Sequence, residues 1–230
     1  MKEIVSREEF NEKMLNIYSK FEAAEKDIEE NGVVADPVIT NELGGHLIIF
    51  RFKKEIAEKI SDVSVLMSQT VPSIAYSPDS IHSTIISYRE IPYMSEPDRF
   101  TLNLLESVAE QGVERLRQVP APTIIYDQIL ANQTTTILRG EPDEHFWNYG
   151  HVMVNLCHQA GLTDVRFPWG PHTTINRNID AAKAQELRRY RNLKETLQIN
   201  FVATPDRIDV AWYTCDREKF AINVVGSFDL

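Results

Sequence analysis

The sequence predicts an α+β fold built from two similar lobes that face each other across a groove. Three observations carry this reading. The order of helices and strands repeats after about 90 residues, as helix, strand, helix, strand, strand. Each repeat holds a β-favouring run that opens on histidine, His82-Ser83-Thr84-Ile85 in the first and His172-Thr173-Thr174-Ile175 in the second. The chain is 230 residues long and 43% hydrophobic, enough to bury a core without metal or disulfide staples.

Residues 6–31 read as a long helix, with Ser6 and Glu9 in a capping-box pattern and Gly32 at the C′ position. Phe10, Met14, Ile17, Phe21, Ala24 and Ile28 fall on one stripe. Such a stripe docks on the chain's own core, or it serves self-association or a partner. Residues 33–44, with Pro37 and Gly44, read as a linker. A strand follows over 46–52 and a helix over 54–69. Tyr76–Ser80 has turn composition, and His82–Tyr88 has strand composition. Ser95 and Pro97 open a helix that runs to about residue 118, with Leu105, Val108, Ala109, Gly112 and Leu116 on one stripe, and Pro120 stops it. Strands are expected over 122–130 and 133–139. Pro142 then starts a helix whose inner face is Phe146, Tyr149, Met153, Leu156 and Ala160, closed by Gly161. A loop rich in Pro and Gly leads to the strand His172–Arg177, then a helix over 180–196. The alternating Ile208, Val210 and Trp212, and Phe220, Ile222 and Val224, make a C-terminal hairpin.

Asp and Glu number 34 against 24 Lys and Arg, a net charge of −10. Coating duplex nucleic acid requires a face dense in Lys and Arg, and this balance opposes it. The basic run Arg188, Arg189, Arg191 and Lys194 reads as a solvated helix flank. No apolar run approaches the ~18 residues of a membrane helix, and the charged start MKEIVSREEF lacks an apolar signal-peptide core. Cys157 and Cys215, without CxxC spacing, offer neither a disulfide framework nor a thiolate zinc site. The expected location is cytoplasmic. His145, His151 and His158 share one helix but not the i, i+4 spacing of zinc ligands, so no metal site is expected. Phosphate-loop, dinucleotide and serine-hydrolase motifs are missing, so no cofactor is expected.

Side chains at i and i+2 of a strand point the same way, so His82 shares a face with Thr84, and His172 with Thr174. Two such strands facing each other would gather two imidazoles and two hydroxyls in one volume. An imidazole gives or takes a proton near neutrality. One basic and one acidic histidine suit a displacement in which an attacking hydroxyl loses a proton and a leaving oxygen gains one. Threonine hydroxyls can donate to the non-bridging phosphoryl oxygens. That set points to phosphodiester chemistry without a metal.

The two HxT-hydrophobic runs, with the arginine-ended Pro171-His172-Thr173-Thr174-Ile175-Asn176-Arg177, resemble the paired motifs of the two-histidine (2H) phosphoesterases, which include 2′-5′ RNA ligase-like proteins and cyclic phosphodiesterases. The resemblance covers roughly residues 45–228. It implies a bilobal, pseudo-duplicated fold of two antiparallel sheets flanking a central groove, helices outside, over residues 36–230. Residues 1–35 form an N-terminal helical extension. It also implies His82 and His172 as the acid–base pair and Thr84 and Thr174 as phosphate donors. The expected substrate is a cyclic phosphate or 2′-5′ linkage in an RNA end or small nucleotide. The rival reading is a nucleotide-binding or scaffold module that keeps the groove without turnover. Strict alternation adds Tyr88 and Asn176 to the pocket side and turns Arg177 away from it, unless the strand bends. Trp169 is a candidate base-stacking platform at the rim.

Overall fold

The computed structural model describes residues 6–94 and 96–230; Ser95, expected to open the third long helix, lies outside the described residues. The elements run α1 (Arg7–Asn31), α2 (Pro37–Thr40), β1 (Leu43–Phe52), α3 (Lys54–Ser68), β2 (Ser73–Ala75), β3 (Ser83–Pro92), α4 (Arg99–Arg115), β4 (Ile124–Ala131), β5 (Thr135–Pro142), α5 (Glu144–Gln159), β6 (Thr173–Asn178), α6 (Arg188–Thr196), β7 (Phe201–Ala203), β8 (Pro205–Cys215) and β9 (Phe220–Asp229). Short 3₁₀ turns at Pro78–Ser80 and Ala184–Leu187 complete the set.

The helix ends follow the local chemistry. Ser6 and Glu9 close a reciprocal capping box on α1, and Gly32 ends the helix at φ 82°. A side chain at Gly32 would also run into the Ala182 carbonyl. Asp98 caps α4 through its contact with the Phe100 amide, so this helix begins later than the Ser95/Pro97 pattern implied. Asp143 caps α5 in the same way, and Pro142 ends the preceding strand rather than starting the helix. The expected linker contains α2, capped by Asp36.

Two antiparallel sheets result, one ordered β3-β1-β8-β9 and the other β2-β6-β5-β4-β7. The sheets do not divide the chain into consecutive halves. The C-terminal hairpin β8–β9 returns to pair with β1, while β4 and β5 join β6. The strands β4 and β5 that follow the first histidine motif, and the hairpin β8–β9 that follows the second, therefore lie in the other motif's sheet, while β7 stays in the sheet of β6. Period-2 and period-3.6 patterns identify elements but carry no information about which distant strand pairs with which. β1 is buried almost throughout, as befits a central strand covered on both faces.

The α1 stripe lies against its own chain. Phe10, Met14, Tyr18 and Ile28 are buried, with Tyr18 rather than Ile17 on the buried side. No helix among the described residues is long and apolar enough to cross a membrane.

Candidate active site

β3 and β6 present their motifs by the same device. In the β1–β3 ladder Ile48 faces Ile86 and Ile49 faces Thr84, so Ile85 is an extra residue. In the β5–β6 ladder Thr136 faces Asn176 and Ile137 faces Thr174, so Ile175 is the extra residue. A bulge of this kind reverses the inward–outward alternation beyond it. Both bulges fall on the isoleucine that ends the motif. Before it, His82 and Thr84, and His172 and Thr174, line one pocket of about 110 Å³. After it, Ser87 of β3 and Arg177 of β6 reach that pocket, each five residues beyond its histidine.

The bulges correct two sequence expectations. Tyr88 does not line the pocket; it is buried on β3 opposite His46. Asn176 is also turned away, and its amide donates to the Ser64 and Ile74 carbonyls and to Ser73 Oγ. Arg177 takes the place that strict alternation gave to Asn176. Nothing in an amino-acid pattern of period 2 announces an inserted residue, although two adjacent aliphatics, Ile85-Ile86, hint at one.

Each imidazole is tethered by the carbonyl two residues before it. His82 Nδ1 lies 2.7 Å from the Ser80 oxygen and His172 Nδ1 lies 3.2 Å from the Gly170 oxygen. A carbonyl only accepts, so Nδ1 carries the proton in the neutral ring and Nε2 is the lone-pair nitrogen left for the pocket. Burial pushes the His82 pKa down to about 4 and that of His172 down to about 3. The nearby Arg177 charge adds to both shifts, and the carbonyl contacts oppose them. Both rings are therefore neutral at pH 7 in the unliganded protein.

Arg177 is fixed by a polar cage that the motif spacing did not reveal. Nη1 donates to Asp36 Oδ2 at 2.7 Å and Nε donates to Tyr76 Oη at 2.9 Å. Asp36 is almost completely buried and also caps α2. The Phe220 ring lies 5.8 Å from the guanidinium and stacks on Tyr76 and Tyr213, with His82 in parallel at 6.0 Å. Leu47, Glu90, Tyr76, Tyr213 and Phe220 complete the pocket wall, and the sequence reading singled out none of them for it. Glu90 faces Arg166 across the rim at 3.6 Å.

Trp169 occupies a different place from the expected rim platform. Its indole is near-parallel to the His172 imidazole, at 14° and 3.8 Å between centroids, and it also packs on Phe21 and Tyr18. It does not line the pocket. Among the described residues, no group of three or more His, Cys, Asp or Glu is placed to hold a metal ion.

The arrangement of two antiparallel sheets and flanking helices is shared with known structures. Escherichia coli LigT, crystallised with NADP+, superposes with a TM-score of 0.52 over 82% of this chain and 99% of that one, at 12% identity. The chain has the LigT fold. TT0787 of Thermus thermophilus gives a TM-score of 0.55 at 12% identity, covering 81% of this chain and 97% of that one. LigT complexed with 3′-AMP gives 0.51 at 15% identity, covering 82% and 99%. The LigT-like likeness is one of fold. No family model matches the sequence, and no curated protein matches it significantly.

Proposed function

We propose that the protein is a metal-independent phosphodiesterase that hydrolyses a cyclic phosphate or 2′-5′ phosphodiester in an RNA end or a small nucleotide. The observation that carries this reading is the convergence of His82, Thr84, His172, Thr174 and Arg177 on one small pocket. Two imidazoles held in the same orientation can divide the proton traffic of a displacement once the bound phosphoryl anion, by favouring the imidazolium, has drawn a proton from solvent onto one of them. One Nε2 takes the proton of the attacking water as its oxygen bonds to phosphorus. The other imidazole, protonated, delivers a proton to the ribose oxygen as its bond to phosphorus breaks. A cyclic phosphodiester plus water thus becomes a phosphomonoester with a free hydroxyl. Thr84 and Thr174 donate to the non-bridging oxygens, and the Arg177 guanidinium balances the charge that builds there.

A pocket of about 110 Å³ fits the phosphoryl group and little more, which leaves the nucleoside at the groove's mouth. LigT, whose fold this chain shares, has been crystallised with ATP and with 3′-AMP, which supports a nucleotide ligand here. The net charge of −10 favours a compact substrate over long RNA.

The test is turnover of 2′,3′-cyclic mononucleotides, cyclic oligonucleotides and 2′-5′ dinucleotides in EDTA, with His82→Ala and His172→Ala beside the parent protein. Activity that survives EDTA and collapses in both variants supports the proposal. Activity that persists in both variants overturns it. A folded parent protein that binds nucleotide and turns over no member of the panel points to the binding-module reading.

A further inference from the structure

We propose that Trp169 is a positioning residue for His172 and that helix α1 is its backing, so the N-terminal helix belongs to the framework that aims one of the two pocket imidazoles. The proposal rests on reading His172 as half of the acid–base pair.

The two histidines are held very unequally by their own strands. His82 follows a 3₁₀ turn, its Nδ1 contact is 2.7 Å, and Arg51 Nη1 and Thr173 Oγ1 grip the carbonyls of Ile81 and His82. His172 follows residues 167–171, which belong to no helix or strand, and its Nδ1 contact is longer at 3.2 Å. A ring at the end of such a loop needs another restraint to keep its plane. The Trp169 indole supplies one, face to face at 3.8 Å. An aromatic face also attracts a cation, so this stack accommodates the imidazolium form as well as the neutral one.

The loop in turn lies along one face of α1. Phe10 meets Phe167 edge-on at 5.7 Å, and Tyr18 and Phe21 pack on Trp169 at 5.5 and 6.3 Å. A Cβ on Gly170 would come within 2.9 Å of Met14 Cγ, so the loop backbone is pressed onto the helix. Phe10, Met14, Tyr18 and Phe21 are spaced 4, 4 and 3 apart, which puts all four on the same face. Tyr18 fixes the helix to β5: its hydroxyl donates to the Gly140 carbonyl at 3.0 Å and accepts from the Gly140 amide at 3.2 Å. Gly140 itself abuts the Pro171 carbonyl, one residue before His172, and has no room for a side chain. Phe10, Met14, Tyr18 and Phe21 of α1 therefore back the segment that delivers His172.

The experiment uses the full chain with Trp169→Leu, Trp169→Phe and Phe21→Ala. Two readouts are taken: kcat and KM on a substrate that the parent hydrolyses, and the NMR signals of the hydrogen-bonded imidazole Nδ1–H protons. Displacement of a reacting group by about 1 Å costs up to ~100-fold, so Trp169→Leu is expected to lower kcat by about tenfold or more. KM should stay within about twofold, because the phosphate donors are untouched. Trp169→Phe should recover most of kcat, and Phe21→Ala should fall between. In Trp169→Leu the His172 Nδ1–H signal should broaden by exchange while that of His82 persists, whereas general unfolding would remove both. A folded Trp169→Leu protein that keeps its kcat and its His172 signal overturns the proposal. If the parent hydrolyses nothing, the function proposed above falls, and the imidazole signals alone still decide whether Trp169 holds the ring.

Discussion

Thr173 Oγ1 donates to the main-chain oxygen of His82 at 3.1 Å, so the second motif holds the first across the groove. The Thr173 hydroxyl has one proton and spends it there. The Tyr126 hydroxyl, 2.7 Å away, must therefore donate to Thr173. Thr173 is completely buried, and its neighbours His172 and Thr174 face the pocket while it faces inward. Replacing it by valine keeps the shape and leaves two buried polar groups without their partner. Thr173→Val should lower unfolding free energy by about 1–3 kcal/mol, measured by urea denaturation. An unchanged midpoint would show that the interlobe tie carries no weight.

Stability should fall as the solution is made acidic. The unfolded chain binds protons on His82 and His172 near their ordinary pKa of about 6.5, whereas the folded protein resists until about 4 and about 3. Between those limits the unfolded state holds more protons than the native state, so stability rises with pH and is lost from about pH 6.5 downward. The slope should be shallower in His172→Gln, which removes one of the two groups. Urea midpoints at pH 7, 6, 5 and 4 for both proteins provide the check, and parallel curves would contradict the assigned shifts.

The elements and the motif strands were legible in the sequence because their causes are local. Ser6 and Glu9 announce the start of α1, and HSTI and HTTI announce β3 and β6, since caps and alternation act within a few residues. Beyond the motifs the alternation misled at Tyr88 and Asn176, because the extra residues Ile85 and Ile175 appear only when each strand is laid beside its partner. Arg177 stood in the motif, but its cage could not be read, since Asp36 is 141 residues away and Tyr76 is 101. The role of α1 stays open in the sequence for the same reason. An apolar stripe states that a face will be covered, and only the fold states that Trp169 and its loop cover it.

The Asp36–Arg177 pair should be costly to break from the aspartate side. Asp36 is almost wholly buried and Arg177 mostly so, and the 2.7 Å contact sits where water cannot replace the lost charge. Removing one partner of a buried pair typically costs about 3–5 kcal/mol. Asp36→Asn should show a loss of that order in denaturation, together with a raised KM as Arg177 loses its anchor. Arg177→Lys should not restore binding, because an ammonium cannot address Asp36 and Tyr76 in one plane. If Asp36→Asn leaves both stability and KM unchanged, the cage is not what holds the guanidinium.

The pH dependence of turnover should separate the free protein from the complex. One of the two imidazoles must carry a proton for the proposed displacement, and in the empty pocket both are largely deprotonated above about pH 4. A bound phosphoryl anion favours the imidazolium and pushes that pKa up. The profile of kcat/KM reports the free protein and that of kcat reports the complex. The alkaline limb of kcat should therefore lie at higher pH than that of kcat/KM. The Arg177 charge depresses both histidines, so Arg177→Gln should move the kcat/KM limb to higher pH even as its height falls. Coincident limbs in the parent protein, or a limb that Arg177→Gln leaves in place, would show that burial and the guanidinium do not set the protonation of this pair.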